Sequence, residues 1–238
     1  MSLLQQGDPR FAAHGTRATF GAGGSEPYAT ALRGGVADVL YLQELRPDQE
    51  PKTVAMDVGR WSADADIIDL QLLASVRGPV LDVGCGPARM VRAARELGMD
   101  ALGIDVSLAA VELARSNGIQ VMHRSVFEPL PDEKTWQTIL LVDGNIGIGG
   151  DPTLLLSRCH ELISPDGEVV VELHSDDDHD RTYTGRLIDS SGGVSASFPW
   201  AEIGLNGLVE RAELVGLSLR QSWSAGGRSF CRLANSLT

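Results

Sequence analysis

The chain has 238 residues, enough for one α/β domain of ordinary size with a small appendage. Its formal net charge of −12 argues against a general nucleic-acid binder, which needs a basic face. No apolar stretch approaches the roughly 20 residues of a membrane span, the first ten residues lack the apolar segment of a signal peptide, and the three cysteines lack metal-ligand spacing. We therefore expect a cytoplasmic protein with reduced thiols.

The first quarter of the chain gives weak signals. Residues 1–27 are rich in small and polar side chains without periodicity, which predicts a loosely packed leader. Prolines and acids at 47–51 mark a linker, and apolar residues recur at helical spacing over 63–76. These signals divide the chain into an N-terminal leader and cap segment, 1–62, and a main domain, 63–238.

Strands and helices then alternate regularly. The predicted strands are 80–83, 101–104, 120–123, 138–142 and 168–173. The predicted helices are 89–97, one that Ser107 caps and that runs to 117, and one that Asp151-Pro152 starts and that runs to 163. Such repeats imply a mostly parallel sheet with helices on both faces.

The rhythm changes after residue 174. A helix is predicted over 203–215, followed by strands at 217–223 and 229–233 that the turn at 225–227 joins into a hairpin. The parallel sheet is therefore expected to finish in an antiparallel hairpin.

The most informative segment is 80–90, VLDVGCGPARM, where an apolar run ends in Asp82 and a loop with Gly84 and Gly86 leads into a helix. The glycines allow a ligand to approach the backbone closely. A carboxylate at this point would repel a pyrophosphate, which normally sits on the helix N-terminus, and would attract an ammonium group or a cationic cofactor. The loop thus points away from NAD and toward S-adenosylmethionine.

Five segments in this order resemble the class I S-adenosylmethionine-dependent methyltransferases, over about residues 64–233. They are LDVGCGPARM, GIDVS, SVFEPLP, ILLVDGN and ELISPDGEVVVEL. The resemblance implies a Rossmann-like three-layer α/β sandwich, with a seven-stranded, mostly parallel sheet and an antiparallel C-terminal hairpin. It also implies a methyltransferase (EC 2.1.1.-) that uses S-adenosylmethionine, with residues 63–238 as its methyltransferase domain.

By resemblance, the glycine loop surrounds the methionine part of the cofactor, Asp105 binds the ribose hydroxyls, and Val106 and Val126 flank the adenine. The position of Asp105, about 20 residues after the loop, supports its assignment independently. Ser125 stands where the family often has an acid that contacts the adenine amino group, so this contact is expected to be weaker or to come from elsewhere. The predicted cofactor-binding residues are Asp82, Gly84, Cys85, Gly86, Asp105, Val106, Ser125, Val126, Asp143 and, to pair with the cofactor carboxylate, Arg60.

Methyl transfer is an in-line displacement, so the protein mainly aligns the acceptor and needs a base only if a proton must leave. Asp143 and His174 follow the fourth and fifth strands and are the candidate catalytic bases. Asn145 and Trp200 are candidate acceptor residues, and segments 28–61 and 181–200 are expected to select the acceptor. No metal site is expected, because the acids of the 175–180 loop lack a calcium-loop spacing.

The leading hypothesis is a methyltransferase for a small-molecule acceptor, with no nucleic-acid or membrane partner. A non-catalytic S-adenosylmethionine-binding regulator stays open, because no catalytic residue is unambiguous. A nicotinamide-dependent oxidoreductase is less supported, because Arg89 stands where that motif needs its third glycine. Neither the acceptor, the methylated atom nor the oligomeric state follows from the sequence.

Overall fold

The computed structural model describes residues 18–22, 26–34, 39–47 and 50–236. Numbered within that part, the strands are β1 (Leu40–Leu45), β2 (Lys52–Met56), β3 (Val80–Val83), β4 (Ala101–Asp105), β5 (Val121–His123), β6 (Trp136–Leu141), β7 (Ile163–Leu173), β8 (Asp180–Asp189), β9 (Phe198–Ile203), β10 (Leu217–Ala225) and β11 (Arg228–Asn235). The helices are α1 (Pro27–Gly34), α2 (Val58–Ser62), α3 (Ile67–Ala74), α4 (Arg89–Glu96), α5 (Leu108–Ser116), α6 (Pro152–Leu162) and α7 (Leu205–Leu214), and a 3₁₀ segment spans Asn145–Gly150.

The larger sheet has seven strands in the order β10-β11-β7-β6-β3-β4-β5. Strands β3 to β7 run parallel, and β11 and β10 join them antiparallel at one edge. This confirms the predicted mostly parallel sheet and its C-terminal hairpin. β7 begins five residues before its predicted start, because Ile163 pairs with Trp136 across a register shift in β6.

Side-chain caps start the helices where the sequence indicated. Ser107 Oγ accepts a hydrogen bond from Ala110 N at the start of α5, and Asp151 Oδ1 accepts one from Leu154 N at the start of α6. Both predicted starts are confirmed. The first helix of the domain is shorter than predicted, because Asp66 and Asp69 form a capping box that starts α3 at Ile67.

Apolar layers cover both faces of the seven-stranded sheet. Leu81, Ile139 and Val171 pack in one cluster with α6 and α7, whereas Leu140 and Val170 pack in another with α3, α4 and α5. Successive residues of a strand point to opposite faces, so these clusters are the two inner layers of a three-layer sandwich.

A second, four-stranded antiparallel sheet was not predicted. Its order is β2-β1-β8-β9, with Leu42 of β1 paired to Leu187 of β8. The segments expected to select the acceptor, 28–61 and 181–200, therefore supply most of this sheet. The division of the chain at residue 62 stays a prediction, and residues 1–17 of the predicted leader lie outside the described residues.

Among the helices of the described ranges, none combines the length and apolar character needed to cross a membrane.

The two sheets meet where the 3₁₀ segment packs against β9. A Cβ atom on Gly147 would lie 2.4 Å from the carbonyl oxygen of Ala201 and 2.6 Å from Trp200 Cε2. Both distances are below van der Waals contact, so only glycine permits this approach.

Substituting Gly147→Ala should therefore lower the free energy of unfolding by about 1–3 kcal/mol, the usual effect of overpacking a well-packed contact. Urea denaturation measures the change. Gly118→Ala is the control: its φ is +74° and nothing lies within 4 Å of the added atom, so it carries only backbone strain of about 1–2 kcal/mol. The close contact between the sheets is wrong if the two variants lose the same stability and also show the same near-ultraviolet circular dichroism signal from Trp200.

Candidate functional site

A pocket lies at the carboxyl ends of β3 to β6, where ligands bind in open α/β sheets. One wall comes from the loops that follow these strands, and the other from residues near α1, α2, β2 and β9. Its lining includes Phe20, Tyr28, Met56, Trp61, Gly84, Cys85, Gly86, Arg89, Asp105, Val106, Arg124, Ser125, Val126, Asp143, Asn145, Ile148 and Trp200.

The glycine loop has a left-handed backbone and close neighbours. Gly84 and Gly86 have φ values of +70° and +54°. A Cβ on Gly84 would lie 2.9 Å from Asn145 Cγ, and one on Gly86 would lie 3.1 Å from the Tyr28 hydroxyl. Both positions therefore need glycine for conformation and for space.

Asp105 ends β4 and is held by backbone amides. Its Oδ2 accepts a hydrogen bond from Gly86 N at 2.8 Å, and its Oδ1 accepts one from Ser107 N at 2.7 Å. Burial raises the pKa of this carboxyl, while these amides favour its charged form. Each oxygen keeps a further lone pair, so the carboxylate can accept two more hydrogen bonds from a ligand such as a diol.

Asp82, which the sequence analysis assigned to the cofactor site, lies in the buried strand β3. The residue is 2% exposed, lies behind the glycine loop and is not among the described pocket residues. Burial raises its pKa to about 7, although nearby Arg89 opposes the shift. Within the described chain, its Oδ1 is buried without a hydrogen-bond partner.

A buried arginine–carboxylate network lies beside the loop and was missed by the sequence reasoning. We use this name for Arg60, Arg89, Arg228, Asp69, Asp143 and Glu172. At its centre, Asp69 accepts hydrogen bonds from Arg89 Nε at 2.9 Å and from Arg228 Nη1 at 2.7 Å. Burial opposes its charge, but hydrogen bonds from these two guanidiniums lower the pKa of Asp69 to about 2.

Asp143 lines the pocket, and the network engages both of its carboxylate oxygens. Oδ1 accepts from Arg60 Nη1 at 2.7 Å and Oδ2 from Arg89 Nη1 at 2.6 Å. Its backbone has a φ of +55°, and its N–H donates to Glu172 Oε2 at 2.7 Å. The predicted base thus has both oxygens facing guanidiniums. Arg60, predicted to pair with the cofactor carboxylate, pairs with Asp66, Asp69 and Asp143 and is not among the described lining residues; its predicted contact with the cofactor stays a prediction.

His174, the other candidate base, follows β7 outside the described pocket lining. Its ring stacks on His179 with centroids 3.7 Å apart, and its Nδ1 accepts a hydrogen bond from Asp176 N. Its position gives no support to a catalytic role.

The remaining predicted residues lie together in the pocket. Ser125 and Val126 follow β5, and Ser125 N donates to Glu128 Oε2 at 2.8 Å, which fixes the loop. Asn145 lies on the wall of the strand-end loops, where its Nδ2 donates to Gly84 O at 3.0 Å, and Trp200 lies on the opposite wall. Three aromatic residues that line the pocket, Phe20, Tyr28 and Trp61, were not predicted as site residues. Tyr28 and Trp61 fall in a segment expected to select the acceptor, whereas Phe20 lies in the predicted leader, where no sequence pattern indicated a site.

Substituting Asp69→Asn should lower the free energy of unfolding at pH 7 by about 3–5 kcal/mol, because it leaves buried guanidiniums short of a charged partner. The pKa of Asp69 in the folded protein, about 2, lies below the ordinary aspartate value of 3.8, so the stabilisation is present above about pH 4 and is lost as the pH falls through 2. Urea denaturation at several pH values should show a shallower acid loss in the variant than in the wild type.

Asp64→Asn is the matched control, since its side chain is 92% exposed and pairs only with Arg92 among the described residues. It should change stability by less than about 1 kcal/mol. Equal losses in the two variants would contradict a buried network.

Comparisons with solved structures give the same fold. An S-adenosylmethionine-dependent methyltransferase from Bacteroides fragilis, in complex with S-adenosyl-L-homocysteine, superposes with a TM-score of 0.73 at 20% identity and covers 93% of this chain and 99% of that one. The 1,6-didemethyltoxoflavin-N1-methyltransferase of Burkholderia thailandensis superposes with a TM-score of 0.53 at 17% identity, over 71% and 77% of the two chains.

Sequence comparison gives a family. The ubiquinone biosynthesis O-methyltransferase of Bordetella avium (strain 197N) is 32% identical over 106 residues, which are 42% of this chain and 44% of that protein. The match thus spans less than half the length of this relative. The sequence model of the family described as "Methyltransferase domain" matches residues 50–206, more than half of the chain. The chain therefore belongs to this methyltransferase family, in the class I S-adenosylmethionine-dependent group that its motifs resemble.

Proposed function

We propose that the protein transfers a methyl group from S-adenosylmethionine to a small-molecule acceptor (EC 2.1.1.-). The observation that carries the proposal is Asp105, a buried carboxylate that the amides of Gly86 and Ser107 hold at the pocket wall with acceptor capacity left over. The Bacteroides fragilis and Burkholderia thailandensis enzymes both hold S-adenosylhomocysteine, and the Bordetella avium relative is an O-methyltransferase.

The pocket residues fit this cofactor. Asp105 would accept the two ribose hydroxyls, and Val106 and Val126 would flank the adenine with Ser125 beside them. Gly84, Cys85 and Gly86 would surround the methionine part. The unpartnered, buried Oδ1 of Asp82 behind this loop fits an ammonium group, because a cation nearby would offset the desolvation of the carboxylate. When bound, the cofactor supplies an electrophilic methyl group on a sulfonium, suited to in-line displacement.

The chain's own residues would mainly align the acceptor and exclude water. Asp143 has both carboxylate oxygens on guanidiniums, so we assign it the positioning of its loop rather than proton removal. Asn145, beside the glycine loop, and Trp200, on the opposite wall, would contact the acceptor. An acceptor that is nucleophilic in its own right, or that loses its proton to water, suits a site of this kind.

A regulator that binds the cofactor without turnover would share these contacts, so turnover separates the two functions. The protein is incubated with methyl-labelled S-adenosylmethionine and a panel of small molecules, and products that gain one methyl group are sought by mass spectrometry. Cofactor binding without any product across the panel would favour the regulator. A nicotinamide enzyme is disfavoured, because Arg89 is locked in the network at the position of the third glycine.

We further infer that the protein acts in the cytoplasm and that its acceptor is not a nucleic acid. Cys85, Cys159 and Cys231 are free and buried, which suits a reducing compartment. The net charge of −12 disfavours a polyanionic acceptor.

Asp105→Asn should weaken the binding of S-adenosylhomocysteine about 10–100-fold. The variant replaces one carboxylate oxygen by an NH₂ group, where one backbone amide and one ribose hydroxyl need an acceptor, and such a mismatch costs about 1–3 kcal/mol. Isothermal titration calorimetry measures the change. Asp166→Asn is the control, because Asp166 is exposed in the turn within β7 and does not line the described pocket. Unchanged affinity in Asp105→Asn would remove Asp105 from the cofactor site.

The affinity for S-adenosylmethionine should rise between pH 6 and pH 8. The pKa of Asp82 is raised to about 7, so below that value the carboxyl is largely neutral and must lose its proton to attract the cationic ligand. Calorimetry in buffers of different ionisation enthalpy should detect proton release on binding. Asp82→Asn should abolish both the release and the pH dependence, and an unaltered pH dependence in that variant would exclude Asp82 as the titrating group.

A further inference from the structure

The wall opposite the cofactor loop is built from aromatic rings. We call Phe20, Tyr28, Trp61 and Trp200 the aromatic wall, and all four line the pocket. The Phe20 centroid lies 5.3 Å from that of Tyr28 and 5.5 Å from that of Trp200, and the Tyr28 and Trp61 centroids are 5.9 Å apart. The rings therefore form one continuous surface.

Ring geometry suits a flat guest. The interplanar angles run from 37° between Phe20 and Trp200 to 77° between Tyr28 and Trp61, so the wall is built of both ring faces and ring edges. Aromatic pairs prefer offset stacks and edge-to-face contacts, and each is worth about 0.5–1.5 kcal/mol beyond the area that it buries. A planar aromatic molecule can make both kinds of contact here, whereas a saturated ring has no π face and cannot make the stacked contact.

Charge selects against an anionic guest. Beside the aromatic wall, the described lining is uncharged: Ala18, Thr19, Met56, Asn145, Ile148, Gly149 and Pro199. Arg89 and Asp143 are occupied by each other and by their network partners. Arg124 lies on the cofactor side next to Ser125, where its Nη1 donates to Pro129 O at 3.0 Å. An anionic group enclosed against this wall would lose its hydration without gaining a partner.

Asn145 Oδ1 is a polar atom of the pocket that can orient the guest. Both amide hydrogens of Asn145 are used, since its Nδ2 donates to Val83 O at 2.8 Å and to Gly84 O at 3.0 Å. Two carbonyl partners can be satisfied only by the NH₂ end, so the amide orientation is fixed. Within the described chain, no hydrogen bond reaches Asn145 Oδ1. That oxygen can therefore accept only from a ligand or from water.

We propose that the methyl acceptor is a planar aromatic molecule that carries a hydroxyl or amino group and no anionic group. Its ring packs on the aromatic wall, and its O–H or N–H donates to Asn145 Oδ1. The inference rests on the proposed function, which assigns the glycine-loop side of the pocket to S-adenosylmethionine. The contacts proposed for the acceptor involve residues outside the glycine loop.

Calorimetry with simple probes tests this class, with and without saturating S-adenosylhomocysteine. The probes are 2-naphthol, its anionic counterpart 2-naphthoate, the saturated alcohol trans-2-decalol, and 2-methoxynaphthalene, which lacks the donor. In the presence of S-adenosylhomocysteine, 2-naphthol should bind at least tenfold more tightly than 2-naphthoate or decalol. It should also bind more tightly than 2-methoxynaphthalene, because only the naphthol can donate to Asn145.

Matched tryptophan variants locate the probe. Trp61→Leu should weaken 2-naphthol at least tenfold and leave the affinity for S-adenosylhomocysteine within a few-fold of wild type. Trp223→Leu is the control, because Trp223 stacks on Phe230 in the C-terminal hairpin and does not line the described pocket. Phe20→Leu is the second variant if Trp61→Leu does not fold.

The outcomes separate the two proposals. If the wild-type protein binds 2-naphthol but does not bind S-adenosylhomocysteine, the proposed function is wrong and the aromatic site is retained. Normal S-adenosylhomocysteine binding with 2-naphthoate or decalol bound as tightly as 2-naphthol would overturn the acceptor class alone. The acceptor class would also be overturned if Trp61→Leu and Trp223→Leu bound 2-naphthol with equal affinity. The same conclusion would follow if 2-naphthol did not bind under any condition.

Discussion

The site depends on the full pairing of buried charges around Asp69. The arginine–carboxylate network draws on α2, α3, α4, the loop after β6, β7 and β11, so it joins segments that are up to 159 residues apart. A buried ion is tolerated only when its partners are present and correctly oriented, because desolvation otherwise exceeds the Coulombic gain. The network therefore restricts how these elements pack, and one result is the left-handed backbone of Asp143 at the pocket.

Charge balance within the network also defines the electrostatics of the pocket. Its three guanidiniums match three carboxylates, Asp69, Asp143 and Glu172. Two further buried carboxylates, Asp82 and Asp105, form no ion pair among the described residues. Burial raises the pKa of both. Negative charge available to a cationic ligand is therefore concentrated at these two residues.

Local signals predicted the cofactor half of the molecule. Apolar runs, helix caps and glycine spacing act over a few residues, and they located β3 to β7, the caps at Ser107 and Asp151, and the cofactor loop. The second sheet depends on pairing between distant segments, such as Leu42 with Leu187, which leaves no periodic trace in either segment. Chain order alone could not decide the roles of Asp143 and Arg60, because their mutual ion pair is a tertiary contact.

The origin of the two pocket walls has a consequence for how this chain can change. The cofactor wall consists of loops that follow strands of the parallel sheet. Of the rings opposite, Phe20 precedes α1, Tyr28 lies in α1, Trp61 lies in α2 and Trp200 lies in β9. Substitutions of these rings can thus change which acceptor molecules bind, while the wall that holds the methyl donor keeps its geometry. The exceptions are the contact at Gly86, where the Tyr28 hydroxyl comes close, and the contact at Gly147, which packs against Trp200. Selection for new acceptors should therefore spare Tyr28 and Trp200 and diversify Phe20 and Trp61.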